Sequence, residues 1–171
     1  MRRMFDLFYQ GLMVLAATAL LAAFLCVVAG IADRQFGLGL RGLDAYAGYA
    51  IAAALFLALP GTLQRGEHIR VTLVLDRLPV PMRRGMEALC LLAGTGLCAM
   101  LAWYALRLVW VSHATHDVSQ GSDATALWIP QCAMALGCVG LAVAMLDATV
   151  SRFVGGGFER HAAPGTAANI E

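Results

Sequence analysis

The chain has 171 residues, of which 60% are apolar and only 13% charged, with a mean hydropathy of +0.73. A soluble domain carries about 25% charged residues, so these figures exclude an ordinary water-soluble globule, and equally a disordered chain, and point to a bilayer as solvent. The net charge is +1, and all 12 basic residues are Arg with no Lys; they are too few and too scattered for a nucleic-acid surface.

Four windows are free of acids and bases: Leu7 to Ala32, Ala45 to Gln64, Ala88 to Leu106 and Ala124 to Leu146. Each is 19 to 26 residues long, and a helix rising ~1.5 Å per residue needs ~20 residues to cross the hydrocarbon. Backbone amides in lipid must find partners within their own segment, so helix is the expected state. No ~10-residue alternation suggests barrel strands. A soluble bundle would need more polar surface than four such windows leave. The expected fold is therefore an all-α integral membrane domain over residues 1–154, with spans at about 11–32, 45–64, 88–111 and 126–148. An in-plane amphipathic helix is expected at about 67–78, and a flexible cytoplasmic tail at 155–171.

The first window follows Arg2 and Arg3, as a signal peptide would, but its apolar stretch far exceeds the ~7–15 residues of a signal core. An uncleaved anchor is the expectation. The second window is rich in small residues (Ala47, Gly48, Ala50, Ala52, Ala53, Ala54) and has Pro60 near its end. Small residues permit close helix–helix approach, which assigns this span to a protein-facing position.

Between the second and third windows, Val71, Val74, Leu75 and Leu78 recur on one helical face, with Arg70 and Arg77 on another flank. Pro79 and Pro81 should stop that helix, and the third span should begin near Arg84. Arg65, Arg83 and Arg84 add to the charge of the segment. An amphipathic helix of this kind lies in the interface, its apolar stripe in acyl chains and its guanidiniums at phosphates. In the third window's continuation, Arg107 lies about five residues from the outer end at Ser112 and is expected to snorkel to the headgroups.

Four spans put both termini on one side. That side collects nine Arg, including Arg2, Arg3, Arg152 and Arg160, against Arg34 and Arg41 opposite. The positive-inside rule then places both termini in the cytoplasm. Tyr46, Tyr49, Trp110 and Trp128 fit an outer aromatic belt, and Phe5, Phe8 and Tyr9 an inner one.

The chemistry-bearing residue types form no catalytic pattern. Cys26, Cys90, Cys98, Cys132 and Cys138 all fall within spans without close pairing and read as small apolar side chains. His68, His113, His116 and His161 lie outside the span centres, which argues against a haem-bearing redox anchor, the main alternative function. His113 and His116 with Asp117 are read as solvated groups of a flexible outer loop. No window carries a central carboxylate, as a self-contained proton-coupled pump would need. No enzyme activity, cofactor or metal is expected.

The run Gly66-Glu67-His68-Ile69-Arg70-Val71 directly after the second span resembles the signature of the small membrane (DctQ-type) subunit of tripartite ATP-independent periplasmic (TRAP) transporters. Ala126-Leu127-Trp128-Ile129-Pro130, at the start of the fourth span, is a second matching stretch. Thr72, where the family often has an acid, and Cys132, where an aromatic is common, depart from the pattern. The resemblance implies a scaffold role beside a large multi-span permease in the bacterial inner membrane. A periplasmic binding protein would deliver an organic anion such as a dicarboxylate, and a sodium gradient would drive its uptake. Residues implied at the membrane interface or at partner contacts are Arg65, Gly66, His68, Ile69, Arg70, Arg77, Arg83 and Arg84. Leu127, Trp128 and Pro130 are implied at the outer start of the last span.

Overall fold

A computed structural model describes residues 2–64, 79–121 and 123–153. Among these it contains four long helices: α1 (Arg2–Phe36), α2 (Leu43–Gln64), α3 (Val80–Ala114) and α4 (Trp128–Phe153). All four are long and apolar enough to cross a membrane. Described strand pairing amounts to one isolated antiparallel bridge, Val118 to Ala126. The expected amphipathic helix at 67–78 and the tail at 155–171 lie outside the described residues.

The helices are longer than the uncharged windows. α1 begins at Arg2 and α3 at Val80, while their membrane-capable stretches start at Asp6 and Gly85. Charges close to a helix end reach water without breaking the backbone ladder, so they bound the apolar window and not the helix. At α3, Pro79 is the N-cap and Pro81 sits in the first turn. Proline lacks only an N–H that the first turn leaves unpaired anyway, so this pair starts a helix as readily as it stops one. α1 ends at Gly37 (φ 64°), whose N–H donates to the Asp33 carbonyl at 2.7 Å, the left-handed terminus that glycine adopts without strain.

The bundle is a row, α1–α2–α4–α3, in which α1 packs on α2, α2 on α4, and α4 on α3. α1 and α2 are antiparallel: Gly30 lies by Asp44 at one end, Gly61 by Met13 towards the other. α2 and α4 run parallel, with Phe56 against Gly137 and Pro60 against Gly140. α3 and α4 are antiparallel, Gly94 meeting Met145. The expectation that the second span faces protein agrees with this arrangement, since α2 has neighbours on both sides.

Small side chains make the contacts. Ala102, Ala105, Ala135, Cys138 and Ala142 form one buried cluster with Phe56 against it; Leu12, Ala16 and Leu57 form another that Ala133 joins. At the α2–α4 crossing, Pro60 has no N–H to offer the Phe56 carbonyl four residues earlier. Gly137 packs on that same carbonyl, so closely that a Cβ there would overlap it. Close backbone approach between helices depends on residues of this size.

Candidate functional site

The end of the bundle carrying the 37–42 and 115–127 connections is the best-described polar region. Leu127 precedes α4, and its N–H donates to the Asp117 carbonyl at 3.0 Å. Trp128 opens the helix and meets the His113 ring edge-on at 5.4 Å between centroids. Pro130 occupies the first turn of α4. The Ala126–Pro130 stretch therefore ties the start of α4 to the end of α3. Backbone hydrogen bonds tie down the connection expected to be flexible: Ser119 N donates to the Thr125 carbonyl at 2.8 Å, and Asp117 N to the Ser112 carbonyl at 3.1 Å. His113, expected in a loop, belongs to the last turn of α3.

Asp123 links this connection to α2. Its carboxylate accepts from the Ser119 hydroxyl at 2.8 Å and from the Tyr49 hydroxyl at 3.2 Å. Partial desolvation pushes its carboxyl up, but hydrogen bonding from Thr125, Ser119, its own backbone and Tyr49 outweighs this and holds it below the usual carboxylate range. The Thr125 and Tyr46 hydroxyls also pair with each other at 3.2 Å. Gly42, at φ 85°, presses on Asp123 so that a Cβ would sit 2.7 Å from that of the aspartate. Tyr46 and Tyr49 thus carry a loop-anchoring role beyond the interfacial one legible from their positions; the partners, 74 and 79 residues away, leave no local signal.

Arg34 donates to Asp44 across the α1–α2 turn at 3.1 Å, both side chains largely exposed, and Asp33 accepts from Leu40 N at 2.9 Å. A shallow recess beside them, lined by Gly30, Leu43 and Gly121 as well, has its one guanidinium already engaged. At the opposite end, Gln64 donates to Asp6 at 3.1 Å. Deeper in the bundle, the Thr95 and Thr149 hydroxyls share a hydrogen bond at 2.7 Å between α3 and α4. Among the described residues no three His, Cys, Asp or Glu side chains converge as metal ligands would.

Of the other residues singled out from the sequence, Arg83 and Arg84 lie in the first turns of α3. Arg65, Gly66, His68, Ile69, Arg70 and Arg77 lie outside the described residues.

The family model for the DctQ component of tripartite ATP-independent periplasmic transporters matches residues 23–155. No curated protein and no solved structure matches the chain. The matched stretch runs from the middle of α1 past the end of α4, taking in all of α2 and α3. With four helices able to span a bilayer and a family match over most of its length, the chain belongs to the DctQ family, the small permease component of TRAP transporters.

Proposed function

We propose that this chain is the static companion of a large multi-span permease in the bacterial inner membrane. In this reading a periplasmic binding protein hands an organic anion, a carboxylate in the simplest case, to the permease, and a sodium gradient drives its entry. The chain widens and anchors the part of the permease that stays still. The observation that carries this reading is the make-up of the helix contacts. They are filled by Ala102, Ala105, Ala135, Ala142 and the glycines of α4, with few polar residues, Ser112 and the Thr95–Thr149 pair among them. Such contacts suit a rigid support, whereas a solute path needs polar or ionisable groups near the bilayer midplane.

Both termini face the cytoplasm in this reading, since nine arginines belong to that side and two to the other. The Arg65–Leu78 segment acts as a brace on the inner leaflet, its arginines at lipid phosphates.

The test is a deletion of the gene for this chain in cells that keep the permease and the binding protein. Uptake should be abolished while the purified binding protein still takes up its ligand; surviving uptake refutes the proposal. For the brace, Arg70→Glu with Arg77→Glu should lower the yield of assembled complex by about thirtyfold at unchanged ligand affinity, each of the two charges lost near the surface being worth about 1 kcal/mol. An unaltered yield counts against it.

A further inference from the structure

The outer helices α1 and α3 each show an apolar face that no other part of the described chain covers, and the two faces differ in charge. On α1, Leu20, Leu21, Phe24, Leu25, Val28 and Ile31 are all exposed, and no charged residue stands between Asp6 and Asp33. Acyl chains solvate such a surface without help. On α3, Ala102, Ala105 and Ser112 are buried, the alanines within the cluster formed with α4. At about 100° per residue, Met100, Trp103, Arg107 and Trp110 fall together on the opposite side. Trp103 is 68% exposed and Trp110 77%.

Arg107 is out of place on a lipid-facing surface. Among the described residues it has no ion-pair or hydrogen-bond partner. Every other charged residue in the four spans lies within four positions of a span end, whereas Arg107 is seven before Ala114, about 10 Å along the axis. Trp110 and the His113–Trp128 contact mark the headgroup level, and Arg107 sits about one turn below Trp110. Side chains on a helix lean towards its N-terminus. For α3 that direction is the bilayer interior, so the Cα–Cβ bond of Arg107 starts away from the nearer headgroups, and snorkelling has to turn the side chain back. A cation at this depth calls for a counter-charge in the membrane.

We propose that the Met100–Trp103–Arg107–Trp110 stripe is the face on which the large permease docks, through a transmembrane helix whose carboxylate pairs with Arg107. The planar guanidinium suits a two-pronged hydrogen bond to a carboxylate, and Trp103 and Trp110 flank Arg107 along the same stripe. The α1 face is left to acyl chains. This inference rests on the scaffold reading above and names the surface that reading would use.

The experiment uses the full chain co-expressed with its permease, with p-benzoylphenylalanine placed at Trp103 or, separately, at Phe24. Irradiation should join the chain to the permease from position 103 and not from 24. Arg107→Glu should reduce the permease recovered with the chain by about tenfold or more, as loss of a buried charge pair does, and Arg107→Lys should retain most of it. Adducts from position 103 with lipid alone, or with a second copy of this chain, overturn the proposal, as does an unchanged yield for Arg107→Glu. Should the glutamate variant fail to fold, Arg107→Leu and the crosslink decide the matter. Capture of the permease from position 24 but not 103 sinks this inference and spares the scaffold reading; a wild-type chain that holds no permease sinks both.

Discussion

The inner pair of helices, α2 and α4, and the outer pair, α1 and α3, solve different problems. Residues buried in the inner pair are Ala47, Ala54, Leu57, Pro60 and Gly61 on α2, and Ala135, Gly137, Cys138, Gly140, Ala142, Ala144, Ala148 and Thr149 on α4. The outer pair turns its bulk outward, with Phe24, Leu25 and Val28 on α1 and Leu97, Trp103 and Trp110 on α3 all exposed. In water the large apolar side chains would be inside. In a bilayer the lipid is as apolar as leucine, so burying leucine between helices gains little, and cohesion falls to close packing and hydrogen bonds. Size is sorted by the absence of a hydrophobic force between helices, and the largest residues are left for whatever surrounds the bundle.

That contrast can be broken most severely at its centre. Gly137→Leu should drive a side chain into the Phe56 carbonyl and lower the stability of the detergent-solubilised chain by about 1–3 kcal/mol or more, read as loss of the folded peak in thermal unfolding. Leu25→Ala on the outer face of α1 is the matched control and should change little. A smaller effect is expected at the polar link between inner and outer helices: Thr149→Val removes the bond to Thr95 and should cost about 0.6–2 kcal/mol in the same assay.

The loops sharpen the comparison through pH. The Asp123 carboxyl is held below its ordinary range in the folded chain, so it adds stability above the unfolded carboxylate value, and that contribution disappears as pH falls through the depressed folded value. Asp123→Asn should flatten this acid limb of the stability profile; a limb of unchanged depth would mean that Asp123 does not anchor the loop. The smallest effect belongs to the exposed Arg34–Asp44 pair. Arg34→Ala should cost at most about 1 kcal/mol and less in high salt, measured by unfolding at two ionic strengths.

The four spans were legible because lipid leaves few options for a long uncharged run, and the protein-facing character of α2 was legible in its alanines. The ends were harder to read, since Arg2, Asp33 and Glu87 continue helices that an uncharged window cuts short. Row order is invisible in one dimension: Gly137 looks like any small residue until Phe56 and Pro60 are set against it. The ties made by Asp123 escaped for a similar reason, because a Tyr hydroxyl at an interface reads the same whether it faces water or a distant carboxylate.

The row α1–α2–α4–α3 places the last of the described helices in an interior position. Until α4 emerges, the α1–α2 hairpin and α3 lack the wall that each leans on. A ribosome halted before Trp128 would therefore leave the α1–α2 hairpin and α3 without the α4 contacts that bring them together. Order along the chain and order in the row therefore differ, and α4 is the helix that reconciles them.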